Sequence, residues 1–232
     1  MRYIALIAML CLAAVPAAAQ FTCSYSWEDG GTIISSYGNV VNPTNVTGPQ
    51  MGQAGDQGTW NCPGAYSGDN YLHVAESPHS STPQVYIAWI QDLVAGDVVA
   101  ADCWFFDSIE SDYYGYPSVR IYAHYATSVD VDDYHGSAGG GSGTGAYTAG
   151  IGWENLSSSW TFGTDGSPYA GADALVIEMR LYSSPATSDP NLTDYWADLV
   201  TITAPTTACV VFPPAGTPVE DATWTNIKDL YR

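Results

Sequence analysis

From residue 71 onward the chain is a succession of short stretches in which apolar and polar side chains alternate, each cut off by a cluster of Gly, Pro, Asn, Asp or Ser. Period-two alternation puts successive side chains on opposite faces of an extended strand, and no sustained 3.6-residue period competes with it. The pattern predicts strands over residues 71–75, 85–90, 97–107, 118–125, 159–164, 174–182 and 195–203, and therefore an all-β chain. Along 97–107, Val99, Ala101, Cys103 and Phe105 share one face, while Val98, Ala100, Asp102, Trp104 and Phe106 share the other. Two largely apolar faces predict a central strand, one face on the core and the other beneath a groove or covering loop.

Three connections stand out. Residues 42–68 read as a long polar loop carrying Trp60, Cys62 and Tyr66, and residues 108–117 bring Tyr113, Tyr114 and Tyr116 beside Glu110 and Asp112. Residues 136–145 hold six glycines in ten positions, the composition of a flexible lid or a solvated tether. The ends of the chain read differently from its middle. Arg2, the apolar run 4–15 and the Pro16-Ala17-Ala18-Ala19 stretch predict an export signal over residues 1–19, with a mature chain from Gln20. One domain is expected over 20–204, because some 200 residues suit a single β-sandwich. A stiff Pro-rich linker follows over 205–218, and then a short helical tail over 219–232 in which Trp224, Ile227, Leu230 and Tyr231 form one apolar face.

Of 232 residues, 24 are acidic and 5 basic, for a net charge of −19. No basic patch is available to displace counterions from phosphates, which excludes nucleic acid and anionic membrane surfaces as partners. An apolar fraction of 46% with 8 Trp and 17 Tyr excludes a disordered polyanion. Cys23, Cys62, Cys103 and Cys209 remain after removal of the signal, and an even number in an exported chain predicts two disulfides with three possible connectivities.

Several segments, taken in order, resemble the galactose-binding-type jelly roll of many carbohydrate-binding modules. Ser26-Trp27-Glu28-Asp29-Gly30 is similar to that family's Phe-Glu-x-Gly opening, and residues 68–74 to the strand after its first long loop. Residues 85–105 resemble its hairpin with a Leu-x-x-Gly-Asp turn, residues 152–162 its Gly-Trp-x-x-Leu turn and the strand behind it, and 174–182 with 195–203 its closing strands. The resemblance implies a jelly-roll β-sandwich of two antiparallel sheets. It also implies a structural calcium ion with Glu28 and Asp198 among its ligands, although Ala197 stands where the family carries a first Asp. First and last strands are neighbours in such a sandwich, which makes Cys23 with Cys209 the first disulfide to expect. The C-terminal tail resembles short sorting or anchoring tails of exported bacterial proteins.

The expected partner is carbohydrate, held by aromatic faces with carboxylates, amides or Arg alongside. The candidate ligand-binding residues are Trp104, Glu110, Asp112, Tyr113, Tyr114, Tyr116, Arg120, Tyr122 and His124, the last three sharing one face of their strand. No nucleophile elbow, zinc-protease helix or phosphate-cradling loop is present, and His73, His79, His124 and His135 have no context that marks a catalytic base. The reading is a non-catalytic, secreted or cell-surface glycan-binding protein. A structural subunit of an extracellular layer or filament, self-assembling or held through its C-terminal tail, is the alternative.

Overall fold

The computed structural model describes residues 19–53, 59–78, 82–107, 118–141, 146–163, 171–182 and 193–215. Their strands are β1 (Gln20–Tyr25), β2 (Ser35–Tyr37), β3 (Val40–Thr47), β4 (Gln50–Gln53), β5 (Thr59–Cys62), β6 (Asn70–Glu76), β7 (Gln84–Gln91), β8 (Val98–Asp107), β9 (Ser118–Ala126), β10 (Gly136–Gly140), β11 (Gly152–Thr161), β12 (Ala174–Tyr182), β13 (Thr193–Pro205) and β14 (Cys209–Val211). Sheet A runs β11-β8-β13-β6-β3, with β1 also on β13. Sheet B runs β10-β9-β12-β7-β14, with β2 also on β7, and β4 with β5 forms a separate hairpin. Every pairing is antiparallel, and the two six-stranded sheets make the expected jelly-roll β-sandwich.

The alternating pattern sets the layers. Val99, Ala101, Cys103 and Phe105 of β8 enter the core together with Leu72 and Val74 of β6 and Ile202 of β13. Ile121 and Ala123 of β9 and Leu175, Ile177 and Met179 of β12 meet them from sheet B. On the other face of β8, Phe106 joins Cys62, Tyr71 and Trp196 in a second buried cluster beneath the β4–β5 hairpin. Asp194 ties that hairpin down: it accepts the Gln53 N–H at 2.6 Å and meets His73 Nε2 at 2.6 Å. A buried carboxylate holds both partners by charge-assisted bonds, each stronger than a neutral one.

Several expectations are corrected. The four cysteines are free thiols, and no disulfide links them. Cys23 lies on β1 in sheet A, whereas the chain crosses over after β13 and sets Cys209 on β14 against β7 in sheet B. Cys103 points into the core, its Sγ 3.5 Å from the Asp198 carbonyl, while Cys62 sits on the opposite side of that sheet and bonds the Gly64 carbonyl at 3.8 Å. Burial raises both thiols above their ordinary pKa. Residues 42–68 hold most of β3 and all of β4 and β5 rather than one long loop. The first half of the 136–145 glycine stretch is strand β10, paired to β9. Within the 205–218 stretch expected as linker, Cys209–Val211 pair with β7 as β14, and residues 1–18 and 216–232 lie outside the described residues.

Candidate functional site

The outer face of sheet B carries side chains in rows that cross the strands. One row reads Tyr37 on β2, Gln84 on β7, Arg180 on β12 and Arg120 on β9, with Tyr147 bridged to Arg120. The next reads Ser35, Tyr86, Glu178 and Tyr122, and a third Trp89, Val176, His124 and Ser137. A bulge at Ile177/Glu178 opposite β7 brings Tyr86 beside Glu178 and Trp89 beside Val176 on the same face. One extra residue on β7 therefore aims two aromatic rings outward where strict alternation would aim one inward. From Tyr37 to Tyr147 the first row crosses four inter-strand gaps, about 19 Å.

At the β2 end the face opens into a cavity of about 540 Å³ lined by Ser36, Tyr37, Gln84, Tyr86, Asp132 and Tyr134. Tyr37 and Tyr134 are 65% and 55% exposed, so their rings are presented to solvent. Asp132 is fixed by the Ser35 hydroxyl, which donates to Oδ1 at 2.7 Å.

Beneath the rings lies a buried ionic network. Glu178, fully buried, meets His124 Nδ1 at 2.5 Å and accepts Arg180 Nε at 2.6 Å. The Arg180 guanidinium lies 3.5 Å from the Tyr122 ring centre. Burial pulls the Arg180 pKa down, but Glu178 and then the phenols of Tyr122 and Tyr182 carry it above the ordinary arginine value. Burial, then the negative charges of Glu178 and Asp132, raise Tyr86, so its hydroxyl stays a proton donor at neutral pH. Arg120 donates Nε and Nη2 to the Gly141 carbonyl and Nη1 to the Tyr147 hydroxyl, with the Tyr122 and Tyr147 rings about it. Tyr122 is held in turn: its hydroxyl lies 2.7 Å from Ser137 Oγ. A Cβ at Gly140 would come within 2.5 Å of the Tyr122 ring, so this glycine of the stretch expected as a lid or tether lets β10 close against Tyr122.

Of the candidate ligand-binding residues, Arg120, Tyr122 and His124 stand together on this face. Trp104 does not join them: it lies on the outer face of sheet A, opposite Asn155 and Asp198, stacked on Tyr66 with ring centres 3.7 Å apart. Glu110, Asp112, Tyr113, Tyr114 and Tyr116 lie outside the described residues. Glu178, Arg180, Tyr86, Tyr134 and Asp132 escaped the sequence reading. A signal existed for the first two, since Val176, Glu178, Arg180 and Tyr182 alternate along an otherwise apolar strand. Charges at alternate positions of a strand flanked on both sides mark a face that is partnered rather than solvated.

Glu28 and Asp198, the pair implied as calcium ligands, converge on one loop. Glu28 Oε1 accepts the N–H groups of Asp69 and Asn70 at 2.9 and 3.0 Å, and Asp198 accepts those of Ser67 at 2.8 Å and Leu199 at 2.7 Å. Burial, opposed by those N–H groups and reinforced by Glu28, pushes Asp198 up to about 6. Carboxylates are the donor class a hard cation takes, and a calcium ion held by Glu28 and Asp198 would draw its other oxygens from main chain and water. Among the described residues no three His, Cys, Asp or Glu side chains gather closely enough to hold a metal by themselves.

No protein-family model matches the chain, and no curated protein does. Solved structures do. The CBM22-1 xylan-binding domain of Xyn10C from Paenibacillus barcinonensis is 14% identical with a TM-score of 0.41, over 82% of this chain and 97% of that one. The tandem CBM22-1–CBM22-2 domain of the same protein is 14% identical with a TM-score of 0.44, over 90% of this chain and half of that one. The K1 cleaved adhesin domain of Lys-gingipain from Porphyromonas gingivalis W83 is 14% identical with a TM-score of 0.33, over 78% and 97%. At such identities and scores the ligand must be read from this chain's own residues.

Proposed function

We propose that this chain is an exported, non-catalytic carbohydrate-binding protein whose glycan lies along the outer face of sheet B. One observation carries the reading: solvent-facing rings at Tyr37 and Tyr134 border a cavity whose floor supplies Gln84, Asp132 and Tyr86, backed by the buried Glu178 and His124 and the partly exposed Arg180. Rings take the C–H faces of pyranoses, and fixed polar groups take the hydroxyls. Because Glu178 is committed to two cationic or polar partners, it is an organiser of the floor rather than a general acid. The loop 108–117 tyrosines, with Glu110 and Asp112, extend the same site in this reading, since they lead directly into β9. A calcium ion between Glu28 and Asp198 is its structural component.

The test is a glycan array with the full mature chain, followed by calorimetry. Tyr37→Ala and Tyr134→Ala, both at exposed positions, are expected to weaken binding at least about tenfold with unchanged melting. Trp104→Ala, on the opposite sheet, leaves affinity unchanged. Silence across a broad array from a folded protein, with self-association that rises with concentration and needs no glycan, would replace this reading by the assembly one.

A further inference from the structure

We infer that the groove takes an acidic glycan, one that bears isolated carboxylates on an otherwise neutral backbone, and that the acid group docks on Arg120; this rests on the glycan-binding reading. The chain has 24 acidic residues and 5 basic ones, and among the described residues Arg120 and Arg180 are the only Lys or Arg side chains. They stand directly opposite each other on β9 and β12. Like charges opposed across a sheet repel, so each must be offset by something. Arg180 is offset by Glu178 at 2.6 Å. Arg120 has no carboxylate within 4.0 Å among the described residues, and its partners there are neutral: the Gly141 carbonyl and the phenols of Tyr147 and Tyr182. Among the described residues, then, one of the few cations of a chain rich in Asp and Glu stands in the middle of the aromatic face with no carboxylate beside it.

The surroundings narrow the ligand. A guanidinium offers five N–H donors, and the bonds to Gly141, Tyr147 and Tyr182 leave at least one of them, with the full positive charge, for a carboxylate oxygen. The Tyr122 and Tyr147 rings beside it give the sugar ring that carries the acid an apolar face to rest on. The rest of the molecule repels polyanions. At physiological salt, charges more than about 8 Å away are screened, so a single acid group feels Arg120 while a dense polyuronate feels the acidic surface along its length. A hexuronate set on a neutral chain satisfies both conditions.

Calorimetry on the full mature chain tests this with glucuronoxylan oligosaccharides, xanthan fragments and oligogalacturonate, each beside its carboxyl-reduced counterpart. At least one of the first two is expected to bind about tenfold or more tighter as the acid than as the reduced form, and more tightly than oligogalacturonate. Arg120→Gln should bring the ratio of acid to reduced affinity close to one, and Arg120→Lys, which keeps the charge without the fork, should leave an intermediate ratio. A purely structural Arg120 would lower melting and shift both affinities by the same factor, which overturns the inference, as does equal binding of acid and reduced forms by the unmutated chain. Tightest binding of oligogalacturonate overturns the isolated-carboxylate assignment. Binding of reduced forms alone sinks the inference and leaves the glycan reading standing, whereas no binding of any probe in either form, followed by silence on the broad array, removes both.

Discussion

Replacing Glu178 by Leu should be among the most destabilising single changes in sheet B. Glu178 is fully buried, and it is the carboxylate that faces Arg180, whose side chain is 14% exposed. Removing it strands a largely desolvated guanidinium, which costs about 3–5 kcal/mol. It also leaves His124 Nδ1 without its partner, for about 1–3 kcal/mol more. The partial exposure of Arg180 lets water recover some of this, so the expected total is about 4–6 kcal/mol. Arg180→Met is expected to cost less, about 2–4 kcal/mol, because Glu178 keeps His124 as a partner.

The decisive quantity is the double variant. With both charges gone, only the histidine remains unsatisfied, and Leu with Met approximates the volume removed, so Glu178→Leu/Arg180→Met should lose about 1–3 kcal/mol. The double-mutant cycle then yields a coupling of about 3 kcal/mol or more. Urea unfolding at pH 7, extrapolated to water with a common slope, measures all four corners. A coupling under about 1 kcal/mol would mean that water reaches the network and that Glu178 does not organise the floor of the groove.

Three further outcomes are expected. In a chelator, Asp198 holds its proton up to about pH 6 in the folded chain against 3.8 for the free group. The folded state therefore binds more protons across that window, so stability is full below pH 4 and falls, by at most about 3 kcal/mol, as pH rises through 6. Asp198→Asn should flatten this slope and abolish any stabilisation by added calcium; a slope that survives the substitution would place its origin elsewhere. Thiol titration of the native protein should find Cys209 reactive, Cys23 slower, and Cys62 and Cys103 reactive only on unfolding; fewer than four thiols in the denatured mature chain would restore a disulfide. Gly140→Ala should displace Tyr122 from Ser137 and Arg180 and destabilise by about 1–3 kcal/mol, read by thermal melting; an unchanged melt would show that β10 can retreat.

Strands with one clean face were legible from alternation alone. The two faces of β8 were separable because its inward set and its Trp104 and Phe106 set are both apolar, and the structure puts the first in the core and the second partly beneath the β4–β5 hairpin. The short strands were not legible, because β2 and β14 are three residues each and β10 is Ser, Ala and Gly. Their identity comes from what they pair with: Tyr122 supplies the packing that lets a glycine strand persist. The disulfide expectation failed for a related reason. Export and parity speak to the chemistry of cysteines, whereas which sheet receives the last strand is decided by the crossover after Pro205, which no local pattern encodes.

The site was half legible, and the missing half has one cause. Arg120, Tyr122 and His124 were grouped by counting along one strand, but the row that gives them meaning runs across strands, through Glu178 and on to Tyr86. Only the β7 bulge brings Tyr86 into that row; with pairing continued regularly from Trp89, Ile87 would stand opposite Glu178 and Tyr86 would turn to the inner face. The same geometry explains why Trp104, one of the candidate platforms in the sequence, stands apart: it belongs to the sheet that carries Asp198, and one of its faces is already taken by Tyr66. An aromatic ring already stacked within the chain has spent the face a sugar would need, while Tyr37 is exposed and Tyr134, though it meets the His124 ring on one side, stays more than half exposed beside fixed polar groups. Exposure next to an anchored hydrogen-bonding floor, rather than aromatic content, is therefore the ground on which the sheet B face is proposed as the glycan-binding surface.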